Sequence, residues 1–223
     1  MFMLSKDRYT HCAGFSTTHI DKYVFLLTII MPKKYGEPVV REMYSSLDNV
    51  PGRECGTFIS PEEGILCASR DGDVGEDEDG ILEIKYSRVP PNEVPNHDNF
   101  LISDKDTEEL KLNKKHRFYR QAVIQLYCSG KSFVDFFVFH DGGESDPYTH
   151  FCERIVRTEE TDKLWQDIKS KYIRFYMEDL GPELVDPMYP ATGQFRQPAY
   201  RRDAIRKVEE HAAENQAKKA AAE

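Results

Sequence analysis

The segment Ile81-Leu82-Glu83-Ile84-Lys85 decides the predicted fold, because apolar and charged side chains alternate along it. Such alternation is typical of a half-buried β-strand, in which every second side chain points to the same face. Glu83 and Lys85 therefore share one face of the predicted strand. The acidic and glycine-rich residues 73–80 just before it predict a hairpin connection. If the strand pairs with the residues that precede this connection, Asp71 comes close to Glu83.

Two carboxylates and one ammonium group would then meet at one edge of a sheet. Hard divalent cations such as Mg²⁺ take oxygen ligands and keep several waters, so that one or two carboxylates and a substrate phosphate suffice to bind them. A lysine beside the metal can orient the attacking water or stabilise charge on the phosphate. The alternative is a surface hairpin with a solvated salt bridge, since a Glu-x-Lys pattern is common by chance.

Four motifs follow one another in order: a helix start with Glu37, Val40 and Tyr44, then Ala68–Gly72, Gly80–Lys85 and Tyr119–Gln125. They resemble the YqaJ-like viral recombinase family, relatives of phage lambda exonuclease within the PD-(D/E)XK nuclease superfamily. The family pattern has a helical Glu, an A-S-P-D-G turn, a G-x-L-E-I-K strand and a Y-x-Q-x-Q helix. The resemblance covers Lys34 to His140. It departs from the family at Arg70, where the family has Pro, and at Tyr86-Ser87, which replace Cys-Pro.

The resemblance implies an α/β fold with a restriction-endonuclease-like core, in which an α-β-β-β-α-β order gives a mixed sheet flanked by helices. It also implies that Asp71, Glu83 and the backbone carbonyl of Ile84 hold Mg²⁺, with Mn²⁺ as a substitute. Lys85 and Gln121 would orient the attacking water. Glu37 would support the metal directly or through water. Two alternatives stay open: Glu37 as a residue that stabilises a helix N-terminus, and Gln121 as a partly buried amide. We interpret Gln125 as structural.

The function implied by the resemblance is that of a metal-dependent exonuclease, which hydrolyses phosphodiester bonds of double-stranded DNA in recombination or repair. Its relatives assemble as ring-type trimers threaded by DNA, so that a homo-oligomer and a single-strand annealing partner are expected. Three alternatives remain: an endonuclease, a catalytically inactive DNA-binding relative with the same fold, and a purely structural interaction protein.

The composition limits where DNA can bind. The chain has 223 residues, 39% of them hydrophobic, which suits one globular domain, and 39 Asp and Glu against 30 Lys and Arg. Because the chain is acidic overall, any DNA-binding surface must be local. One dense basic segment precedes the predicted helix at Tyr119, and it predicts contacts to the phosphate backbone. Its candidate residues are Lys114, Lys115, Arg117 and Arg120. The alternative is a charged, exposed helix face.

Other patterns argue against competing sites. The five cysteines, Cys12, Cys55, Cys67, Cys128 and Cys152, have no zinc-like spacing and predict free thiols in a reducing compartment. The acidic run after Asp71 lacks the spacing of a calcium-binding loop. We therefore interpret its remaining acids as a solvated loop.

The predicted organisation has three parts: a divergent N-terminal segment (1–31), a nuclease domain (32–180), and a Pro-rich linker with a helical tail (181–223). The apolar run Tyr23 to Ile30 is too short to cross a bilayer. It does not fit a signal peptide, because polar residues precede it and no small-residue cleavage site follows it. These observations predict an intracellular protein, nuclear or cytoplasmic, without a membrane partner.

The predicted elements are three strands in one antiparallel meander (Cys55–Ser60, Ile65–Ser69 and Ile81–Tyr86), a long loop (Arg88–Asp106), a buried strand (Phe133–His140), and helices at Thr158–Asp179 and Arg201–Glu223.

Overall fold

A computed structural model describes residues 36–48, 51–104, 107–143 and 148–220. The predictions for the N-terminal segment and for its boundary at residues 31 and 32 lie outside these residues. The chain divides between Ile168 and Lys169 into two compact units. The boundary predicted between residues 180 and 181 stays a prediction. No helix of the described residues is long and apolar enough to cross a membrane.

The first unit is built on a mixed sheet of five strands. In their order across the sheet, these are β1 (Gly52–Arg53), β4 (Gly72–Val74), β5 (Gly80–Tyr86), β8 (Phe133–His140) and β9 (Thr149–Val156). β5 and β8 run parallel, whereas the other three neighbouring pairs are antiparallel. Because a parallel pair needs a crossover connection, the chain between β5 and β8 makes a small two-stranded sheet and a long helix before it returns.

Helices cover both faces of this sheet, α1 (Glu37–Asp48) on one face and α3 (Arg117–Ser129) on the other. On one face, Val40 and Tyr44 of α1 pack in a core cluster with Leu82, Ile84 and Phe137. On the other face, α3 contacts β5 and β8. The alternation along β5 explains this division, because even-numbered positions face α1 and odd-numbered positions face α3. The three long helices of the first unit are α1 (Glu37–Asp48), α3 (Arg117–Ser129) and α4 (Glu159–Phe175), the last of which runs into the second unit.

The predicted single meander is wrong. β2 (Phe58–Ile59) and β3 (Cys67–Ala68) pair with each other in a separate two-stranded sheet. Residues 69–71 belong to no strand, and β4, which follows them, forms the hairpin with β5. The hairpin connection is therefore residues 75–79, shorter than predicted. Gly75 in this connection has a φ of +94°, a conformation that favours glycine.

The predicted long loop also contains regular structure. It includes a 3₁₀ turn (Pro91–Glu93), α2 (Val94–His97) and β6 (Leu101–Ser103), which pairs with β7 (Leu110–Leu112). The buried side chains of Val94, Phe100 and Leu101 hold this segment in place. The buried strand predicted at Phe133–His140 is confirmed with the same bounds. The structure thus supports a mixed α/β fold with a mixed sheet flanked by helices.

The second unit is helical. After α4 it has a π-helical turn (Tyr176–Leu180), α5 (Gly181–Val185), α6 (Tyr189–Thr192) and α7 (Ala199–Ala220). Buried Asp179 accepts a hydrogen bond from the Tyr200 hydroxyl and pairs with Arg201 at 2.7 Å. These contacts fix the start of α7, whose remaining side chains, where described, are exposed.

Candidate active site

Glu83 lies at the centre of the candidate site. It is in the middle of β5, with 3% of its surface exposed. Oε1 accepts hydrogen bonds from Lys85 Nζ and from Gln121 Nε2, the latter at 2.7 Å, and Oε2 accepts one from Gln125 Nε2 at 2.5 Å. Lys85 reaches Glu83 because it lies two residues further along the same strand face. The two glutamines reach it because residues four apart share one face of a helix.

Asp71 lies beside Glu83 at the point where β4 begins. Its backbone N–H donates to the carbonyl of Leu82 at 3.1 Å, and its Oδ2 accepts the backbone N–H of Ile84 at 2.8 Å. The backbone pairing of the two segments thus ends at Asp71 and Leu82, and the next free N–H on β5, that of Ile84, is bound by the Asp71 side chain instead. This arrangement confirms that Asp71 and Glu83 come close together, although the pairing strand is β4 rather than the predicted Ile65–Ser69.

The surroundings of Glu83 disfavour its charged form. Burial raises the pKa of the Glu83 carboxyl, the Lys85 ammonium lowers it, and the negative charge of Asp71 raises it again, with a net upward shift. A buried carboxylate is stabilised in its charged form by positive charge and by hydrogen bonds to its oxygens. A cation bound between Asp71 and Glu83 would therefore favour the charged form of Glu83.

The donor chemistry suits a hard divalent cation. Asp71 and Glu83 offer carboxylate oxygens, and Mg²⁺ prefers oxygen ligands while it keeps several waters. Within the described residues, no group of three or more His, Cys, Asp and Glu side chains could hold a metal. A site at this position would thus depend on two carboxylates, backbone oxygen and water, which is the set predicted with Ile84. Softer ions that need thiolate or imidazole ligands do not fit.

Lys85 is held by an aromatic ring as well as by Glu83. Its Nζ lies 4.7 Å from the centroid of the Phe118 ring, and its side chain is 13% exposed. The backbone N–H of Phe118 donates to His116 Nδ1, which caps the N-terminus of α3 at 3.3 Å. Burial lowers the pKa of His116. His116 and Phe118 stand in the basic segment and in the predicted helix, but neither was predicted to contact the site. A cation–π contact between strand and helix leaves no pattern in the sequence.

Gln125 has a closer link to the site than its interpretation as structural suggested. It is buried, and its Nε2 donates to the carbonyl of Ser69 at 2.7 Å as well as to Glu83. Gln125 therefore joins the segment that leads into Asp71 to the carboxylate of Glu83. Its spacing of four residues from Gln121 was the signal in the sequence that both amides face the same strand.

Glu37 is the first residue of α1 and is half-buried. It precedes Val40 and Tyr44 at helical spacing, and these two residues pack against the face of β5 that carries Ile84. The structure thus brings the helix of Glu37 onto the strand of the candidate site. The support of a metal by Glu37 stays a prediction, and so does the alternative at the helix N-terminus.

The basic segment lies at the start of α3. Lys114 forms an exposed ion pair with Glu160, whereas no carboxylate of the described residues pairs with Lys115, Arg117 or Arg120. The guanidinium carbon of Arg117 lies 5.2 Å from the Phe118 ring, which itself contacts Lys85. Among the cations of this segment that have no such ion pair, Arg117 therefore lies next to the candidate site. Binding of DNA there stays a prediction.

Arg70, which replaces the family proline, is buried. Its Nη2 pairs with Asp73 at 2.6 Å, and its guanidinium lies over the Phe58 ring. The interpretation of Asp73 as part of a solvated loop is therefore wrong, because burial of an arginine requires a partner for its charge. Arg70 leaves the contacts of Asp71 with β5 intact.

A comparison with models of protein families gave no match, and a comparison with curated proteins gave none either. Among solved structures, the chain is similar to an alkaline exonuclease (LHK-Exo) from Laribacter hongkongensis and to LHK-Exo in complex with dAMP. In both cases the TM-score is 0.40 at 22% sequence identity, over 62% of this chain and 68% of the other. At this TM-score the likeness does not establish a common fold.

Proposed function

We propose that the protein is a metal-dependent deoxyribonuclease that hydrolyses phosphodiester bonds of double-stranded DNA, most simply as an exonuclease of the YqaJ and lambda type. The observation that carries this proposal is the buried carboxylate of Glu83, which lies beside a second carboxylate, Asp71, and contacts a lysine and two amides. The motif resemblance on the same residues agrees with this geometry.

Asp71, Glu83 and the carbonyl of Ile84 would hold Mg²⁺. The bound ion would supply a water of lowered pKa and neutralise negative charge on the phosphate. Mn²⁺, which accepts the same oxygen ligands, would substitute. The residues of the chain then have separate tasks: the two carboxylates set the position of the ion, and Gln125 keeps Glu83 in place.

Lys85 would stabilise the negative charge that develops on the phosphate. Its ammonium group is fixed between Glu83 and the Phe118 ring, so that little rearrangement is needed when the charge forms. The Nε2 of Gln121 already donates to Glu83, which leaves its amide oxygen as an acceptor for the attacking water. Catalysis then depends on positioning and on electrostatics, without a covalent intermediate.

The free cations Lys115, Arg117 and Arg120 would bind phosphates of the duplex. Contacts of this kind position the DNA without reading its sequence. A nuclease without sequence preference is the expected result, with affinity that falls as salt is raised.

Digestion of linear and of closed circular duplex DNA with Mg²⁺ tests this proposal, with Glu83→Ala and Lys85→Ala as matched variants. We expect the wild type to degrade only the linear DNA. Glu83→Ala should be inactive, and Lys85→Ala should lose a factor of about 10² to 10⁴ in rate while it still binds DNA. Cleavage of both substrates would indicate an endonuclease that uses the same site. A folded wild type that cleaves neither would contradict the proposal.

A further inference from the structure

Arg41 of α1 is fixed beside Asp71 by contacts that the proposed mechanism does not use. Its Nε donates to the backbone carbonyl of Asp71 at 2.9 Å, and the side chain is half-buried. Ser45, one turn further along α1, accepts the backbone N–H of Gly52 at 2.8 Å. This second contact keeps the helix against β1. The position of the guanidinium group is thus set by two hydrogen bonds between α1 and the sheet.

Two glycines make room for the Arg41 side chain. A Cβ at Gly52 would lie 3.0 Å from Arg41 Cγ, and a Cβ at Gly72 would lie 3.3 Å from both its Cδ and its Nε. Neither glycine has a positive φ, so the backbone conformation does not require them. Their lack of a side chain instead lets the stem of Arg41 lie on the backbone of β1 and β4.

The end of the Arg41 side chain is available to a ligand. Nε is occupied by the carbonyl of Asp71, but no carboxylate among the described residues forms an ion pair with Arg41. Arg53 on the neighbouring β1 differs, because its Nη1 pairs with Glu78 at 2.8 Å. A planar guanidinium with free terminal nitrogens is the group that binds phosphate oxygens in a bidentate manner.

We propose that Arg41 is a phosphate-binding residue, whose terminal nitrogens hold a phosphate group of the DNA next to Asp71. The inference rests on the proposed function, since it deepens the same site. Arg41 lies on α1, whereas the predicted DNA-binding residues lie at the start of α3. The substrate strand would therefore be held from both sides of the hairpin β4–β5.

The test is the binding of a fluorescently labelled linear duplex, measured by anisotropy with Mg²⁺ over a range of NaCl concentrations. All variants carry Lys85→Ala so that the DNA stays intact. Adding Arg41→Gln should raise Kd about tenfold, because the charge-assisted hydrogen bonds between the guanidinium and the phosphate are lost. It should also reduce the slope of log K against log salt by about one. Arg53→Gln is the matched control and should change neither quantity.

The variant Arg41→Lys distinguishes the contribution of the bidentate guanidinium contact from that of the positive charge. It keeps the positive charge, so the salt slope should persist, while the loss of the bidentate contact should still raise Kd several-fold. This variant also decides the question if Arg41→Gln fails to fold. Duplexes with a 5′-phosphate and with a 5′-hydroxyl distinguish the sources of the phosphate: an equal effect on both indicates a backbone phosphodiester, and an effect on the phosphorylated end alone indicates the terminal group.

An unchanged Kd for both Arg41 variants would overturn the inference. That result leaves the proposed function standing as long as the Lys85→Ala parent binds the duplex. A parent protein that binds no DNA at any salt concentration would instead contradict the proposed function itself.

Discussion

Glu83 and Asp135 are both buried carboxylates on neighbouring strands, but the groups that surround their negative charges differ. Asp135 is on the face of β8 that packs against α1, with 2% of its surface exposed. Its two oxygens accept hydrogen bonds from Arg154 at 2.8 Å each, and the Tyr44 hydroxyl donates a further one at 2.5 Å. Glu83, on the opposite face, lies beside a second carboxylate, Asp71, and its pKa is raised by burial and by that neighbour. A buried carboxylate balanced by an arginine on both of its oxygens indicates a structural role, whereas one whose charged form is disfavoured indicates a binding site.

The largest expected effect comes from removing the balanced carboxylate. Asp135→Ala should lower the free energy of unfolding by about 3 kcal/mol, at the lower end of the range for broken buried pairs, because Arg154 is 52% exposed and regains water. Urea unfolding followed by circular dichroism measures this change. Glu83→Ala in metal-free buffer at pH 8 is the comparison and should lose less. A larger loss for Glu83→Ala would reverse the assignment of the two roles.

A smaller effect is expected in the pH dependence of stability without metal. Because the pKa of Glu83 is raised in the folded state, the native protein binds more protons than the unfolded chain above about pH 4. The contribution of Glu83 is therefore favourable at low pH and is lost as the pH rises through the folded pKa. The free energy of unfolding of the wild type, minus that of Glu83→Ala, should fall between pH 4 and pH 8. A difference that stays flat would show that Glu83 is not under electrostatic stress.

The smallest effect is expected for Tyr44, which contributes one of the hydrogen bonds to Asp135. Tyr44→Phe removes one hydrogen bond from Asp135 but leaves both contacts with Arg154. Its ring also keeps its edge-to-face contact with Phe137. Thermal unfolding should show a loss of about 1 kcal/mol with normal nuclease activity. If activity fell as strongly as in Glu83→Ala, the network around Asp135 would belong to the active site.

The sequence predicted those parts of the structure whose patterns are local. The aromatic-rich, mostly apolar run Phe133–His140 predicted a buried strand, and the structure confirms it. The approach of Asp71 to Glu83 followed from the hairpin predicted between the two segments. By contrast, β9 was not predicted, because Ile155 is its single buried side chain and its other residues are half-buried or exposed. An edge strand of this kind owes its structure to pairing with β8 rather than to its own sequence.

Contacts between distant segments could not be predicted. The spacing of Gln121 and Gln125 indicates that the two amides share one helix face, but it does not identify Glu83 as the acceptor of Gln125. The local sequence also does not show that Gly52 and Gly72 accommodate the side chain of Arg41. The strand predicted at Ile65–Ser69 was misplaced for a related reason: its apolar residues do form β3, but β3 pairs with β2, and the hairpin partner of β5 is the acidic segment Gly72–Val74. Burial of Asp73 against Arg70 made an acidic strand possible.

The central claim is that Asp71 and Glu83 form a site for one divalent cation. Titration calorimetry with Mg²⁺ tests it directly on the wild type, on Glu83→Ala and on Tyr44→Phe as the control for an unrelated change. We expect one Mg²⁺ ion to bind to the wild type and to Tyr44→Phe, and none to Glu83→Ala. A wild type that binds no Mg²⁺, or a Glu83→Ala variant that binds it with unchanged affinity, would contradict the claim.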